Sequence, residues 1–479
     1  MIPGKTIRVL YPAIFILSVF LSEELTLLAQ ATGDWALWGG RTSRNSVSKM
    51  QGLPTEWDIH TGKNVKWEAS LGSISYTSPV VSGGMVFVGT NNAGLRDPRQ
   101  DGDRGVLMAF READGEFLWQ ATSEKLASGQ VNDWPQQGIC STPLVEKDRL
   151  YYVTSRCEVV CLDTQGFRDK ENDGPYKKEK HTEENQADIV WIFDMLREVN
   201  SFPHNMTASA PVAYGNLLFT GTSNGRDEEW NLPSPDAPSI IALDMKTGTL
   251  EWSDNSPGEN ILHGQWSSPA VAEVGGVVQV VMGQGDGWVR GYEALTGEKL
   301  WEFDSNPAEA VWPKDRNNVI GTPVILGDHV YIANGQDPEH GDGPGNLYCI
   351  DATQRGDITA SGRVWQYAEI RRSISSATVD AGLVYVPDYA GFLHCLDAGT
   401  GAAKWVHDTF AAVWGSPLIV GDRVYLGDED GDVVVLRTGD KEVVLAETNM
   451  GGPVYGSPVP ANGALFIATY NKLYALETE

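Results

Sequence analysis

Aromatic, basic and amide side chains recur just ahead of similar apolar segments in this 479-residue chain. Aromatic rings beside guanidinium, amide and imidazole groups are suited to binding a planar or polar ligand. The alternative is that these side chains only cap the segments that follow them. The candidate ligand-binding residues are Tyr76, Trp134, His204, His263, Trp266, Trp312, Arg316, Asn317, Arg371, Trp414 and Tyr455.

Motifs for catalysis are missing from the sequence. It contains no Walker loop, no GxSxG and no HExxH. Its eight histidines include no pair at a metal-ligand spacing. The sequence therefore predicts no catalytic residue and no metal site.

The five cysteines are an odd number, so they cannot all pair with one another. Cys140 opens one predicted strand, and Cys157 follows the strand that returns toward it. In an exported protein these two could form a disulfide. Cys161, Cys349 and Cys395 stand where other segments carry small residues, and we expect them to be buried.

The apolar segments belong to a repeat of 40 to 68 residues. The Pro or Ala of a signal similar to Ser-x-Pro marks each unit, at Pro79, Pro143, Pro211, Pro269, Pro323, Ala377, Pro417 and Pro458. Each unit reads as alternating strands separated by turns, four in most units. This pattern predicts an all-β, eight-bladed β-propeller of four-stranded antiparallel blades. An open β-solenoid or two separate sandwiches are the alternatives.

The two ends of the repeat region complement each other. The last unit, 456–479, stops before a fourth strand, whereas the segment 64–72 resembles a lone fourth strand with Trp67. We expect this N-terminal strand to complete the last blade and so remove the open edge. The propeller then spans 64–479, and 32–63 is an extended arm.

The turn before the fourth strand carries a motif of a small residue, a Gly six positions later and a Trp ten positions later. Examples are Ala109–Gly115–Trp119 and Ala242–Gly248–Trp252. The motif resembles the tryptophan-docking motif of the PQQ-like (quinoprotein) β-propellers. The resemblance implies that one Trp per blade packs on the next blade, and that insertions in blades 2 and 5 and a missing Trp in blade 7 loosen junctions. The implied docking residues are Trp67, Trp119, Trp191, Trp252, Trp301, Trp365 and Trp405.

The same resemblance bears on activity. Catalytic members of the wider family hold pyrroloquinoline quinone (PQQ) and Ca²⁺ in the channel, use a catalytic Asp and often carry adjacent cysteines. This sequence has no Cys–Cys pair and no CxxCH haem site. The resemblance therefore implies no cofactor, and the chain is more similar to the non-enzymatic propeller of the outer-membrane barrel-assembly machinery. PQQ with Ca²⁺ is the alternative.

Residues 1–31 are typical of a signal peptide. Lys5 and Arg8 precede an apolar stretch at 9–21, and Ala-Gln-Ala at 29–31 predicts cleavage after Ala31. An uncleaved anchor is the alternative. The cleavage region lacks Cys, so the sequence predicts a periplasmic or extracellular chain without a lipid anchor or transmembrane span.

The net charge of −28 repels phosphate backbones, which argues against nucleic-acid binding. Long loops are predicted on one face of the ring, and such loops commonly carry binding. We expect an exported, monomeric, non-catalytic scaffold that binds envelope or extracellular proteins, a small polar or planar ligand, or a glycan. The alternatives are a PQQ-dependent alcohol or sugar oxidoreductase and a polysaccharide-binding exoprotein.

Overall fold

The chain folds into a ring of eight β-sheets within the part that the computed structural model describes, residues 33–126 and 135–478. Each sheet has a core of four antiparallel strands. This confirms the predicted eight-bladed propeller. The predicted signal peptide, 1–31, lies outside the described residues.

Blades 1 to 4 follow one another along the chain, from the inner strand outward. Blade 1 contains β3 (Val80–Ser82), β4 (Met85–Asn91), β5 (Arg104–Arg111) and β6 (Phe117–Glu124). Blade 2 contains β7 (Leu144–Glu146), β8 (Arg149–Val153), β9 (Glu158–Asp163) and β10 (Ile189–Asp194). Blade 3 contains β11 (Val212–Tyr214), β12 (Leu217–Gly221), β13 (Ile240–Asp244) and β14 (Leu250–Asp254). Blade 4 contains β15 (Ala270–Val274), β16 (Val277–Gly283), β17 (Trp288–Glu293), β18 (Lys299–Asp304) and the added β22 (Gly356–Asp357).

Blades 5 to 8 complete the ring. Blade 5 contains β19 (Val324–Leu326), β20 (His329–Ala333), β21 (Leu347–Asp351) and β23 (Arg363–Tyr367). Blade 6 contains β24 (Thr378–Asp380), β25 (Leu383–Pro387), β26 (Phe392–Asp397) and β27 (Ala403–Asp408). Blade 7 contains β28 (Leu418–Val420), β29 (Arg423–Gly427), β30 (Asp432–Arg437), β31 (Val444–Asn449) and the added β1 (Val47–Ser48). Blade 8 contains β32 (Val459–Ala461), β33 (Ala464–Ala468), β34 (Lys472–Leu476) and β2 (Val65–Ser70).

Helical structure is limited to single turns in the described residues, and none of these helices has the length or the apolar character to cross a membrane. The one α-helix among them, α1, spans Met195–Glu198. The 3₁₀ turns span Pro98–Gln100, Gly166–Asp169, Gly258–Asn260 and Pro338–His340.

The core lies between the blades. Successive side chains of a strand point to opposite faces of its sheet, so each strand contributes to two cores. In β30, Val433 and Val435 pack with blade 8, whereas Val434 and Leu436 pack with blade 6. This two-sided burial explains why the sequence is rich in Val, Ile and aromatic residues at alternating positions.

The N-terminal strand closes the ring. β2 pairs antiparallel with β34, and Trp67 lies opposite Ala475. The prediction that an N-terminal strand completes the last blade is therefore confirmed. Closure leaves blade 8 with its full set of four strands.

The seven tryptophans singled out in the sequence lie at blade junctions. Six of them donate an indole N–H to a backbone carbonyl of the next blade, at 2.9–3.0 Å: Trp67, Trp119, Trp191, Trp252, Trp365 and Trp405. Five of the rings also lie against a left-handed Gly of that blade, where an added Cβ would be 2.6–3.2 Å from the indole: Gly115, Gly166, Gly248, Gly297 and Gly401. A side chain on such a Gly would collide with the indole.

Trp301 contacts the next blade indirectly. Its indole N–H donates to Gln279 of its own blade at 2.7 Å, and the Gln279 amide donates to the Ala352 carbonyl of blade 5. Blade 5 carries its insertion where the other blades carry the Gly turn. Part of that insertion, β22, pairs with the outer strand of blade 4 instead.

The junction between blades 7 and 8 is filled by the arm. Ala446 lies opposite Val435, the position that Trp405 holds opposite Cys395 in blade 6. Leu53 and Trp57 are buried in the core shared by blades 7 and 8. The sequence predicted a loose junction from the missing Trp, and it did not identify these two residues as fillers.

Candidate binding face and axial cavity

The long loops share one face of the ring, here called the loop face. It carries the connections from second to third strands and from each fourth strand to the next blade, since strand direction alternates within a blade. The longest connections on it follow β4, β6, β10, β12, β14, β18 and β20. Most connections on the opposite face are short turns, and the exceptions are the insertions between β9 and β10 and between β21 and β23.

A cavity of about 200 Å³ lies on the propeller axis and is lined by all eight blades. Four of the predicted ligand-binding residues line it: Tyr76, Trp266, Trp414 and Tyr455. They share one sequence position, three residues before the Pro that marks each unit. The repeated position therefore places these four side chains at the rim of the cavity, and their role in ligand binding stays a prediction.

The cavity wall is a ring of small hydroxyl side chains directly before the marker Pro. The backbone N–H of this residue in one blade donates to the hydroxyl of its equivalent in the next, at 2.8–3.3 Å. Within the described residues seven junctions carry this bond, and the acceptors are Ser78, Thr142, Ser268, Thr322, Ser376, Ser416 and Ser457. Ala210 interrupts the series in blade 3. These hydroxyls therefore bind neighbouring blades to one another.

The N-terminal arm forms the floor of the cavity. Residues 33–48 contact the inner part of every blade, and the contacts include Trp35 with Val81, Thr42 with Val271 and Ser46 with Ile419. Trp38 lines the cavity from below. The arm lies at the end of the channel away from the loop face, beside the turns between first and second strands.

Arg44 fixes the arm. Its side chain is 1% exposed and donates to the carbonyls of Trp38, Ala210, Pro211 and Pro269 at 2.8–3.0 Å. Burial lowers the pKa of Arg44 to about 9, so the guanidinium stays protonated at neutral pH. Its left-handed backbone, with φ of 64°, is held by these surroundings.

The aromatic rim is a packed cluster. The ring of Tyr76 lies 4.9 Å from that of Tyr455 and 5.8 Å from that of Trp414. Burial raises the pKa of Tyr455 to about 12 and that of Tyr76 further, so both phenols are neutral donors. These rings stabilise one another as well as lining the cavity.

The other predicted ligand residues lie elsewhere. Arg316 pairs with Asp304 at 2.6 Å, Asn317 ties its loop to Asn306, and Arg371 pairs with Asp342 on the surface. Trp312 is 41% exposed on the loop face. Trp134 lies outside the described residues.

His204 and His263 belong to a cluster that the sequence did not reveal. Asp337 accepts hydrogen bonds from Nδ1 of His263 at 2.7 Å and from Nδ1 of His340 at 2.9 Å. Burial opposes ionisation, yet these two bonds lower the pKa of Asp337 to about 2. Burial lowers the pKa of His204 to about 4, and its ring lies 3.9 Å from that of His263. The cluster joins loops that are 59 to 77 residues apart, so no local spacing could have found it.

The structure does not form the disulfide considered for Cys140 and Cys157. Cys157 points away from the axis, toward the Thr222 carbonyl of blade 3 at 3.5 Å. Cys140 lines the axial cavity. Their places on strands that run toward each other did not bring their sulfurs together.

Exposed aromatic side chains are concentrated on the loop face. Of the described residues, Trp230, Trp312 and Phe410 are exposed by 54%, 41% and 88%. All three lie in loops of this face. Aromatic residues are enriched where proteins bind proteins, because each buries a large area at a small entropic cost.

Comparison with known proteins places the fold in a family. The family model described as outer membrane protein assembly factor BamB matches residues 27–166, 103–405 and 357–479, which together cover most of the chain. The chain belongs to this family.

Curated relatives include members of two functional classes. The BamB of Burkholderia pseudomallei is 26% identical over 48% of this chain and 56% of its own length. The quinoprotein alcohol dehydrogenase PedH of Pseudomonas putida is 24% identical over 51% of this chain and 45% of its own length. The chain therefore spans about half the length of these relatives.

Solved structures share the ring architecture. A europium-containing methanol dehydrogenase superposes with a TM-score of 0.68 at 11% identity, over 95% of this chain and all of that one. At this identity the likeness shows the fold alone. It does not separate scaffold from dehydrogenase.

The axial cavity does not fit PQQ. PQQ carries three carboxylates, but the lining contains no Lys or Arg, and its one ionisable acid is Asp337. The guanidinium of Arg44, in the arm that forms the floor, is engaged by four carbonyls. A volume of about 200 Å³ is also below the roughly 300–1,000 Å³ of most small-molecule sites.

Proposed function

We propose that this chain is an exported, non-catalytic propeller that binds a protein partner through its loop face and supports the assembly of outer-membrane proteins. The observation that carries the proposal is the grouping of Trp230, Trp312 and Phe410 on this face. Membership of the BamB family supports the part of the proposal that concerns outer-membrane assembly. The partner is accordingly an envelope protein that offers an apolar or aromatic-binding surface.

The opposite face is less suited to recognition. Most of its turns are short, and the arm occupies the channel at that end. Leu295 is one apolar side chain exposed there, by 53%. It therefore makes a matched control for the aromatic residues of the loop face.

The non-catalytic part of the proposal rests on the cavity. Hydroxyls in its wall bind the neighbouring blade, and the lining lacks cations for an anionic quinone. The carboxylate of Asp337 is occupied by two histidines. Dye-linked alcohol oxidation by the purified chain after addition of PQQ and Ca²⁺ would overturn this part.

A rescue experiment tests the role of the loop face. In the organism of origin with its own gene deleted, we expect the abundance of outer-membrane β-barrel proteins to fall. The wild-type chain and Leu295→Ser restore it, whereas the double variant Trp312→Ser, Phe410→Ser restores less than half. Quantitative mass spectrometry of the outer-membrane fraction measures the abundance.

Two controls make the result specific. Immunoblots must show equal amounts of each variant, and melting curves must show an unchanged fold. Unaltered barrel-protein levels after the deletion, or equal rescue by both variants, would contradict the proposal.

A further inference from the structure

His263, Asp337 and His340 bring three metal-binding groups together at the edge of the axial cavity. One donor atom from each lies within 4.8 Å of the others. Ligands of a single Zn²⁺ ion sit about 2.0–2.2 Å from it and hence roughly 3–4 Å from one another. Small side-chain rotations are enough to reach that spacing.

The three residues come from two separate loops. His263 lies in the loop that leads into blade 4. Asp337 caps, and His340 ends, a 3₁₀ turn between the second and third strands of blade 5. The backbone around that turn holds His340 near Asp337, since His340 N–H donates to the Asp337 carbonyl at 3.0 Å. The loops thus meet at the carboxylate.

The surroundings orient the histidines. The ring of His263 contacts two other rings: that of Trp230 is stacked on it at 4.8 Å, and that of His204 is tilted by 55° at 3.9 Å. His204 is itself held through Nδ1 by the Arg226 carbonyl. A ring held by two neighbours loses little entropy when it binds an ion, which favours affinity.

We propose that His263, Asp337 and His340 bind one divalent transition-metal ion, of which Zn²⁺ is the model. Two imidazole nitrogens and one carboxylate oxygen are the donor set that Zn²⁺ and similar ions prefer over Ca²⁺ or Mg²⁺. The neutral imidazoles can carry their proton on Nε2, which frees Nδ1 for the metal. The ion then replaces two hydrogen bonds with three coordinate bonds.

Exposure of His340 gives the ion a path and an open position. The His340 side chain is 34% exposed, whereas those of His263 and Asp337 are 9% and 8% exposed. The ion enters from the loop face, and a solvent molecule completes its coordination. Once bound, it ties the loops of blades 4 and 5 together beside Trp230.

Calorimetric titration of the purified chain with Zn²⁺ tests this site, with no polyhistidine tag present. We expect one ion per chain and a rise in melting temperature on binding. His340→Ala and Asp337→Asn should each weaken binding at least tenfold and abolish the rise. His340→Ala removes an exposed side chain, so its fold is retained.

His407→Ala is the matched control. His407 also donates Nδ1 to a carboxylate, that of Glu442 at 2.7 Å, but this pair has no second histidine. Its loss should leave Zn²⁺ binding unchanged. Absence of saturable binding by the wild type, or binding by His340→Ala and Asp337→Asn equal to that of the wild type, would overturn the proposal.

Discussion

Asp188 is a buried carboxyl group among other acids. It is 1% exposed, Oδ2 accepts one hydrogen bond from the Asp173 backbone at 2.6 Å, and Oδ1 is buried with no partner among the described residues. Burial, followed by the charges of Glu179, Asp173 and Asp163, raises the pKa of Asp188 to about 6. The ionised form is therefore costly in the folded chain.

This shift predicts how stability depends on pH. Because the folded pKa exceeds the unfolded value of about 3.9, the contribution of Asp188 is full below pH 4 and is lost as the pH rises through 6. Asp188→Asn should match the wild type at pH 4 and exceed it at pH 7.5, by on the order of 2 kcal/mol. Urea unfolding at both pH values measures the difference.

Asp169→Asn is the control, since Asp169 is an exposed acid of the same insertion. It should not reproduce the gain at pH 7.5. An Asp188→Asn variant whose stability relative to wild type is the same at both pH values would refute the assignment.

Individual site residues were predictable only where the repeat places them. Tyr76, Trp266 and Trp414 share one repeated position, and their side chains meet at the axis because equivalent positions of a ring converge. Arg316 has a side chain suited to binding a ligand, but its guanidinium is engaged in a local ion pair with Asp304. Asp337 lies in an acidic, glycine-rich stretch without a site motif, and only tertiary folding brings it to His263.

The blade junctions are the elements that the sequence described best. Gly297 has φ of +74°, and a Cβ there would lie 2.6 Å from the indole of Trp252. Gly276 in the same blade has φ of +78°, but its Cβ would meet nothing within 4 Å. Substituting these two glycines in turn therefore distinguishes the effect of backbone strain from the effect of collision with the indole.

Gly297→Ala should destabilise the propeller more than Gly276→Ala does. Each substitution lowers the free energy of unfolding by roughly 1 kcal/mol, because Ala disfavours the left-handed backbone. In Gly297→Ala the collision with the indole lowers it by about 1–3 kcal/mol more. Melting temperature and urea midpoint give the comparison. Equal losses in the two variants would mean that the indole does not pack on this turn.

The arm is the element that the sequence left undescribed. Residues 33–48 lack strand periodicity, because they follow a curve around the axis and pair with a different blade every few residues. Their polar side chains satisfy inner-strand carbonyls and amides, as Asn45 does with both groups of Val379. A pattern of this kind reads as a solvated linker until the ring is known.

At the scale of the whole molecule, strands, turns and ring closure followed from periodicity and from the complementary chain ends. The difference between the two faces of the ring could not be predicted from these features. It arises because the arm occupies the channel beside the short turns, which leaves the cavity, the exposed aromatics and the histidine cluster at the loop face. The proposed partner-binding surface is therefore confined to one face of the ring.

Hydrogen exchange of the arm tests this division most directly. Trp35 and Val47 lie in a segment bonded to inner strands, so peptides covering 33–48 should exchange about as slowly as β28, over hours at neutral pH. Mass spectrometry after timed labelling follows both segments in one sample. Complete exchange of 33–48 within seconds, with β28 still protected, would show an open channel and contradict a ring sealed by its own N-terminal segment.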